Sequence, residues 1–126
     1  MKALIDLLRL KKRASNRVYI DWPIEVQISG QDASLAFCGR DISVHGLRLE
    51  SDMRNPLPDS GDSGRAQLLI RVPGKKTAIQ VEAKLKWGLE KEGKSTTGWE
   101  FTRLARDDQE FIEGYVLSHK EDWVEI

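Results

Sequence analysis

Between residues 17 and 103, hydrophobic and polar side chains alternate in short segments that are separated by turn residues. The first of these segments carries hydrophobic residues at Val18, Ile20, Ile24, Val26 and Ile28. A period of two is that of a β-strand with one buried face, and short strands at close intervals are typical of an antiparallel barrel or sandwich. The sequence therefore predicts a mainly β fold, either a small antiparallel barrel or a sandwich.

Two details of the pattern lead to expectations about single strands. Pro23 has no backbone N–H group, which predicts that the first strand lies at a sheet edge or bends there.

A later segment carries hydrophobic residues at Ile79, Val81, Ala83, Leu85 and Trp87. This alternation predicts that Trp87 is a packing residue, and Trp22 and Trp123 are interpreted in the same way. Residues 52–64 contain two prolines and two glycines and are predicted to form the longest loop.

Helix is predicted only at the two ends of the chain. Residues 1–12 are interpreted as a short amphipathic helix with a basic lead-in, because charged residues interrupt the apolar run that a signal peptide would need. Residues 106–119 are predicted to form a C-terminal capping helix, with hydrophobic residues at helical spacing and acidic residues in the first turn. Residues 13–120 would then form one domain, with its barrel at 17–104 and a tail at 121–126.

Composition and charge limit the possible ligands and location. The 126 residues suffice for one modest core, and no apolar stretch approaches the ~20 residues of a membrane span. The lone Cys38 gives no sign of an oxidising compartment, so a cytoplasmic location is expected. The net charge of zero argues against a general polyanion binder, but residues 1–17 carry six basic side chains against one acidic side chain. Such a cluster can hold a small dianion.

Three short segments carry a more specific pattern: RASNR at residues 13–17, DISVHG at residues 41–46 and GWEF at residues 98–101. They resemble the RxxxR, (D/N)xSxxG and GxxF motifs of the PilZ family, in the same order and on the expected elements. RxxxR alone would be uninformative, since a basic sequence supplies it by chance. The combination is specific, and the resemblance covers about residues 11–118.

This resemblance implies a six- or seven-stranded antiparallel PilZ-type β-barrel that binds the bacterial second messenger cyclic di-GMP, without enzymatic activity, metal or cofactor. The implied ligand-binding residues are Arg13, Arg17, Asp41, Ser43 and Gly46, with Lys12 and Trp99 as further candidates. Binding is expected to change the conformation of the N-terminal arginine segment and to signal to an unidentified effector protein. No nucleic acid polymer and no membrane span are expected.

The implied residues suit the chemistry of cyclic di-GMP, which presents two guanine bases and two negatively charged phosphodiesters. An arginine has a planar fork that pairs with guanine O6 and N7, stacks on a purine and holds phosphate, so Arg13 and Arg17 would clamp the ligand. Asp41 would accept hydrogen bonds from guanine N1–H and N2–H and so select guanine over adenine. Ser43 supplies a short hydroxyl, and Gly46 permits a close backbone approach.

Each assignment has a structural alternative. The two motif arginines can be solvated surface charges, and Asp41 and Ser43 can form a turn by bonding the local backbone. Trp99 can be a core aromatic instead of a surface on which a guanine stacks. Lys12 either attracts phosphate or is only solvated, which leaves open whether one or two ligands bind.

Other functions are weighed against this one. A ligand-independent PilZ-like adaptor would act through protein contacts alone, although degenerate family members lack the motif arginines that this chain retains. A small barrel for single-stranded nucleic acid would need exposed aromatics interleaved with basic residues. An enzyme is not expected, because His45 and His119 lack a metal-site spacing and no catalytic constellation emerges.

Overall fold

The computed structural model describes residues 16–28, 34–52 and 64–124. Six strands occupy most of these ranges: β1 Val18–Ile28, β2 Ser34–Ile42, β3 Gly46–Asp52, β4 Arg65–Ile70, β5 Ile79–Lys91 and β6 Lys94–Leu104. The order β1-β2-β3-β6-β5-β4 closes into a barrel because β1 also pairs with β4, and every pair is antiparallel. The predicted mainly β barrel is therefore confirmed, with six strands in the described part of the chain.

The alternation of the sequence fills the barrel interior. Along β1 every second residue is buried, from Val18 at 0% exposure to Ile28 at 3%. Side chains of the other strands complete one continuous core, which includes Leu47, Leu68 and Trp99. Because burial of each large apolar side chain contributes about 1.5–3 kcal/mol, this shared interior is the main source of stability.

Pro23 lies in a strand that is paired on both sides. It stands opposite Cys38 of β2, and its carbonyl oxygen accepts a hydrogen bond from the Arg71 N–H at 3.1 Å. The expectation of an edge strand is therefore wrong, because closure of the barrel gives β1 two neighbours. The register between β1 and β2 shifts between Tyr19 and Trp22, just before the proline.

The predicted C-terminal helix is confirmed. Helix α1 spans Arg106–Ser118, and its Ile112 and Val116 are buried in the same cluster as the barrel core. The ring of Tyr115, on the same helix, meets the ring of Trp22 edge-on, with 4.9 Å between the centroids. The apolar stripe of the helix thus packs against the barrel.

After the helix, the chain returns to the start of β1. A 3₁₀ turn at Lys120–Asp122 leads to Trp123, which forms a β-bridge with Val18. The Val124 N–H then donates a hydrogen bond to the Arg17 carbonyl oxygen at 2.8 Å. The chain that follows the helix is thereby tied to the residue that precedes the first strand.

The hairpin of β5 and β6 departs from the predicted alternation. The two residues Glu92 and Gly93 join the strands, and their positive φ angles of 53° and 76° are those of a type I′ turn. Trp87 stands opposite Gly98, whereas Leu85 stands opposite Trp99, so Lys86 is one extra residue in β5. This bulge turns Trp87 to the outer surface, where it is 47% exposed. The expectation that Trp87 is a packing residue is therefore wrong.

Two predictions concern residues that the structure does not describe. They are the N-terminal helix at residues 1–12 and the loop at residues 52–64, of which residues 53–63 lie outside the described ranges. Of the helices that are described, none has the length and apolar character needed to span a lipid bilayer.

Candidate functional site

One row of residues crosses five strands on the outer face of the barrel. From β1 to β5 the directly opposed residues are Tyr19, Asp41, Arg48, Gly98 and Trp87. Side chains that are directly opposed on one face of a sheet lie close enough to interact. This cross-strand row therefore sets a phenol, a carboxylate, a guanidinium and an indole beside one another.

Two β-bulges are the reason that Asp41 and Trp87 belong to this row. The register between β2 and β3 shifts between Gly39 and Asp41, and the register between β5 and β6 shifts between Leu85 and Trp87. Gly39 and Leu85 face the interior. Under strict alternation Asp41 and Trp87, each two positions later, would face the interior as well. Bulges redirect side chains in this way and are common beside functional sites.

Asp41 is the most enclosed charged group of the row. Its side chain is 4% exposed, and Arg17 Nη1 donates a hydrogen bond to its Oδ1 at 2.8 Å. Arg48 Nε lies 2.7 Å from Oδ2, as an ion pair that lacks the alignment of a hydrogen bond. A buried carboxylate is tolerated only with such partners, so Asp41 fixes two guanidiniums at the barrel surface.

The residues after Asp41 form a tight turn between β2 and β3. Ser43 is buried, its Oγ accepts a hydrogen bond from the His45 N–H at 3.2 Å, and its own N–H donates to the Gly46 carbonyl at 2.8 Å. A Cβ at Gly46 would overlap the carbonyl oxygen of Trp99 on β6. Ser43 and Gly46 thus have the structural role of forming the turn through local hydrogen bonds and close packing. The turn also fixes the position of Asp41.

Trp99 lies in the barrel core. Its side chain is 2% exposed, and its indole N–H donates a hydrogen bond to Thr97 Oγ1 at 2.9 Å. The ring therefore has no free face on which a base could stack, and its burial favours the packing alternative.

Trp87 and Arg48 are two residues of the row that the sequence interpretation missed. A Cβ at Gly98 would overlap the indole of Trp87, which means that the ring lies across the Gly98 backbone. Because Gly98 has no side chain, the indole ring packs flat against the sheet, and almost half of the Trp87 side chain remains exposed to solvent. Arg48 stands on the other side of Gly98 in the row.

A cleft of about 360 Å³ adjoins the Gly98 and Trp87 end of the row. It runs from Arg17 and His45 to Trp87, and its wall includes the exposed pair Lys86 and Glu100, whose Nζ and Oε2 are 3.3 Å apart. Its volume falls within the range of about 300–1,000 Å³ that is usual for small-molecule sites. A planar aromatic surface and a guanidinium in one cleft suit a planar, anionic ligand.

A larger cleft, of about 480 Å³, lies toward the start of β5 and the end of β6. It is lined by β4, β5 and β6 through polar residues that include Gln67, Gln80, Glu82 and Arg103. The residues that line it include no aromatic ring, so the smaller cleft is the better candidate in spite of its size. Within the described ranges, no group of His, Cys, Asp and Glu side chains is arranged to hold a metal ion.

A second carboxylate, Glu50, lies further along β3 and provides a comparison. It contacts Lys94 Nζ at 3.1 Å and Arg40 Nη2 at 3.3 Å, with 23% of its side chain exposed. These hydrogen bonds, first that of Lys94, lower the pKa of Glu50. Opposite it on β2, burial and a hydrogen bond to Asp21 raise the pKa of the Cys38 thiol.

Of the residues predicted from the motifs, the structure brings Arg17 and Asp41 into direct contact and holds Ser43 and Gly46 in the adjoining turn. Arg13 and Lys12 lie outside the described residues.

A family model described as PilZ domain matches residues 11–118. The chain belongs to the PilZ domain family. PilZ domains are ligand-binding rather than catalytic modules. No curated protein sequence matches the chain significantly.

Several solved structures share the fold at low sequence identity. The Bacillus subtilis inhibitor of motility MotI/DgrA superposes with a TM-score of 0.70 at 17% identity over 84% of this chain and 50% of that chain. The PilZ domain of YcgR from Escherichia coli, solved with c-di-GMP, gives a TM-score of 0.64 at 14% identity, over 83% of this chain and 88% of that domain. PlzA of Borreliella burgdorferi, also with c-di-GMP, gives a TM-score of 0.56 at 12% identity, over 91% of this chain and 57% of that chain. The chain thus spans about half the length of MotI/DgrA and PlzA.

Proposed function

We propose that this PilZ domain is a receptor for cyclic di-GMP, which binds in the cleft beside the cross-strand row. The observation that carries the proposal is the buried Asp41, which holds Arg17 and Arg48 next to the exposed ring of Trp87. Family membership supports the same ligand, since the PilZ structures of YcgR and PlzA contain c-di-GMP.

The arginines supply the charge and the geometry that the ligand needs. Arg17 is 40% exposed in its side chain, so it can reach a phosphodiester or a guanine edge from where it stands. Arg13, four residues earlier in the same motif, is proposed as its partner in a clamp around the ligand. A guanidinium contributes about 1–3 kcal/mol in a bidentate contact with guanine O6 and N7.

Asp41 is proposed to read the guanine base. A carboxylate has about four acceptor positions on its two oxygens; Arg17 donates to one on Oδ1, and Arg48 Nε lies beside Oδ2 as an ion pair without hydrogen-bond alignment. The remaining positions can accept the N1–H and N2–H groups of guanine. Adenine lacks this pair of donors, so the contact would favour guanine.

Trp87 is proposed as the stacking surface for one base. Its ring is seated on Gly98 and faces the cleft, and stacking of a base on an aromatic side chain contributes about 1–3 kcal/mol. Ser43 and Gly46 support the site by shaping the turn, and Lys12 would add attraction for phosphate.

Binding is further proposed to change the conformation of the N-terminal arginine segment, and so to signal to a protein partner. The support is the backbone contact of Arg17 with Val124, which joins the start of the barrel to the chain after α1. A ligand-induced shift of the backbone at Arg17 would disturb this contact and change the surface at residues 119–124. An effector that reads this surface would sense the ligand. We expect no catalysis and no cofactor.

The test is a calorimetric titration of the full chain with cyclic di-GMP, cyclic di-AMP, GTP and a single-stranded oligonucleotide. We expect saturable binding of cyclic di-GMP and much weaker binding of the other three ligands. Absence of cyclic di-GMP binding by a folded protein would instead support the ligand-independent adaptor. Preference for the oligonucleotide would support a nucleic-acid-binding barrel.

A further inference from the structure

The cleft contains a pair of opposite charges that no motif residue supplies. Lys86 Nζ lies 3.3 Å from Glu100 Oε2, and the two side chains are 50% and 52% exposed. Both residues line the cleft together with Trp87 and Gly98. An exposed ion pair contributes only about 0–1 kcal/mol to stability, so the fold depends little on this one. Its two charged groups are therefore available to a ligand.

The bulge in β5 and the alternation of β6 place this pair beside the indole of Trp87. Lys86 is the extra residue of the bulge and directly precedes Trp87. Glu100 stands two residues after Gly98, and residues two apart on a strand lie on the same face of the sheet. Because the indole lies across Gly98, a base stacked on it would have Glu100 and Lys86 along one side. The pair can thus contact the edge of a base while the indole contacts its face.

The charges of the pair are complementary to the Watson–Crick edge of guanine. This edge carries the O6 acceptor, followed by the N1–H and N2–H donors. The ammonium of Lys86 has only donors, and the carboxylate of Glu100 has only acceptors, on two oxygens. An ammonium at O6 and a carboxylate at N1–H and N2–H therefore satisfy the whole edge. Adenine presents a donor at N6 and an acceptor at N1, so each contact would place like groups together.

Asp41 is too far away to contact the base at Trp87 as well. The two residues stand three strands apart in the cross-strand row. Neighbouring strands are about 4.8 Å apart, which separates the two residues by about 14 Å. Cyclic di-GMP has two guanines, so one can lie at Asp41 and the other at Trp87.

We propose that Lys86 and Glu100 determine specificity by binding the edge of the guanine that stacks on Trp87, while Asp41 binds the other guanine. The inference rests on the proposed receptor function and adds a second base-reading position to it. A base that covers the pair also excludes water, which strengthens the charge-assisted hydrogen bonds between them. The site then discriminates against each adenine that a cyclic dinucleotide carries.

The experiment titrates the full chain by calorimetry with cyclic di-GMP, cyclic GMP-AMP and cyclic di-AMP, which carry two, one and no guanine. In the wild type the affinity should fall at each replacement of guanine by adenine. Glu100→Gln keeps the size of the side chain but replaces one acceptor with a donor. It should lower the preference for cyclic di-GMP over cyclic GMP-AMP about tenfold, because the hybrid places its guanine at Asp41 and its adenine at the altered position.

Two further variants separate base reading from a general effect of charge. Lys86→Ala should lower the same preference about fivefold, since only the guanine loses a donor to O6. A purely electrostatic role of Lys86 would instead weaken all three ligands in equal proportion. Glu25→Gln is the matched control: Glu25 Oε1 lies 3.3 Å from Arg71 Nη2 in another exposed ion pair, outside the residues that line the cleft. This variant should leave the preference unchanged.

The outcomes distinguish this inference from the receptor function on which it rests. A folded wild type that binds none of the three ligands would contradict both. Binding of cyclic di-GMP with a preference over cyclic GMP-AMP that survives Glu100→Gln and Lys86→Ala would overturn the inference and leave the receptor function standing. Equal wild-type affinities for cyclic di-GMP and cyclic GMP-AMP would do the same.

Discussion

Two carboxylates on neighbouring strands of the outer barrel face each lie between two cations, yet they differ in burial and in geometry. Asp41 is 4% exposed, with arginine nitrogens at 2.8 and 2.7 Å, whereas Glu50 is 23% exposed, with its cations at 3.3 and 3.1 Å. Exposed ion pairs contribute about 0–1 kcal/mol, whereas a buried charge depends on its partners. Pairing alone therefore does not identify a site. Burial, a bulge and an adjoining cleft together distinguish Asp41.

The largest expected effect on ligand affinity is the difference between Arg17, the partner of Asp41, and Arg40, the partner of Glu50. Arg17→Ala should weaken cyclic di-GMP binding at least tenfold, since a guanidinium contact contributes about 1–3 kcal/mol. Arg40→Ala removes the same side chain beside Glu50 and should leave the affinity unchanged. Calorimetry measures both affinities, and circular dichroism checks the fold. Equal affinities for the two variants would remove Arg17 from the site.

The carboxylates themselves should differ in ligand selectivity. Asp41→Asn retains the size of the side chain but loses one acceptor and gains a donor that opposes guanine N1–H. The preference for cyclic di-GMP over cyclic di-AMP should then fall about tenfold. Glu50→Gln should leave this preference intact. If Asp41→Asn weakens the two ligands in equal proportion, Asp41 has a structural role instead.

The two exposed hydrophobic residues of the hairpin provide a third comparison. Trp87→Ala should weaken cyclic di-GMP binding about fivefold, the lower end of what stacking contributes. Leu89→Ala removes a similarly exposed side chain two residues further from the cleft and should have no effect on binding. Tryptophan fluorescence should also respond to the ligand in the wild type and lose this response in Trp87→Ala. A response that persists without Trp87 would contradict the stacking role.

The smallest effect concerns the pH dependence of stability. The pKa of Glu50 is lowered in the folded chain, so its ion pairs stabilise the fold at neutral pH and this contribution is lost as the pH falls through the folded pKa. Glu50→Gln should lower the free energy of unfolding by about 0.3 kcal/mol at pH 7, and the difference should vanish once the pH lies below the folded pKa of Glu50. Urea denaturation over a series of acidic to neutral pH values measures it. Glu90→Gln, exposed on β5, is the control and should show no such change.

The alternation of the sequence sufficed to predict the barrel, because each strand buries one face. The motif resemblance was enough to nominate Arg17 and Asp41, which the structure joins by an ion pair. It did not reveal Trp87, because alternation cannot show a bulge. Pairing counted back from the Glu92 and Gly93 turn could have found it, since this sets Trp87 opposite Gly98 and hence on the face away from Trp99.

Arg48 was missed for a related reason. It alternates with the buried Leu47 and Leu49, so its outward direction is visible in the sequence. Its place opposite Asp41 is not visible, because the extra residue in β2 changes the register by one. Nothing in local sequence shows where a bulge will fall, so this part of the site needed the structure.

The ion pair between Arg17 and Asp41 also bears on how affinity responds to ionic strength. A guanidinium that is already paired with a carboxylate attracts fewer counterions than a free cation does. Counterion release is what makes the binding of anions sensitive to added salt. A phosphodiester that binds Arg17 beside Asp41 therefore releases few ions. The affinity for cyclic di-GMP should therefore decline with salt less steeply than the number of basic side chains around the cleft implies.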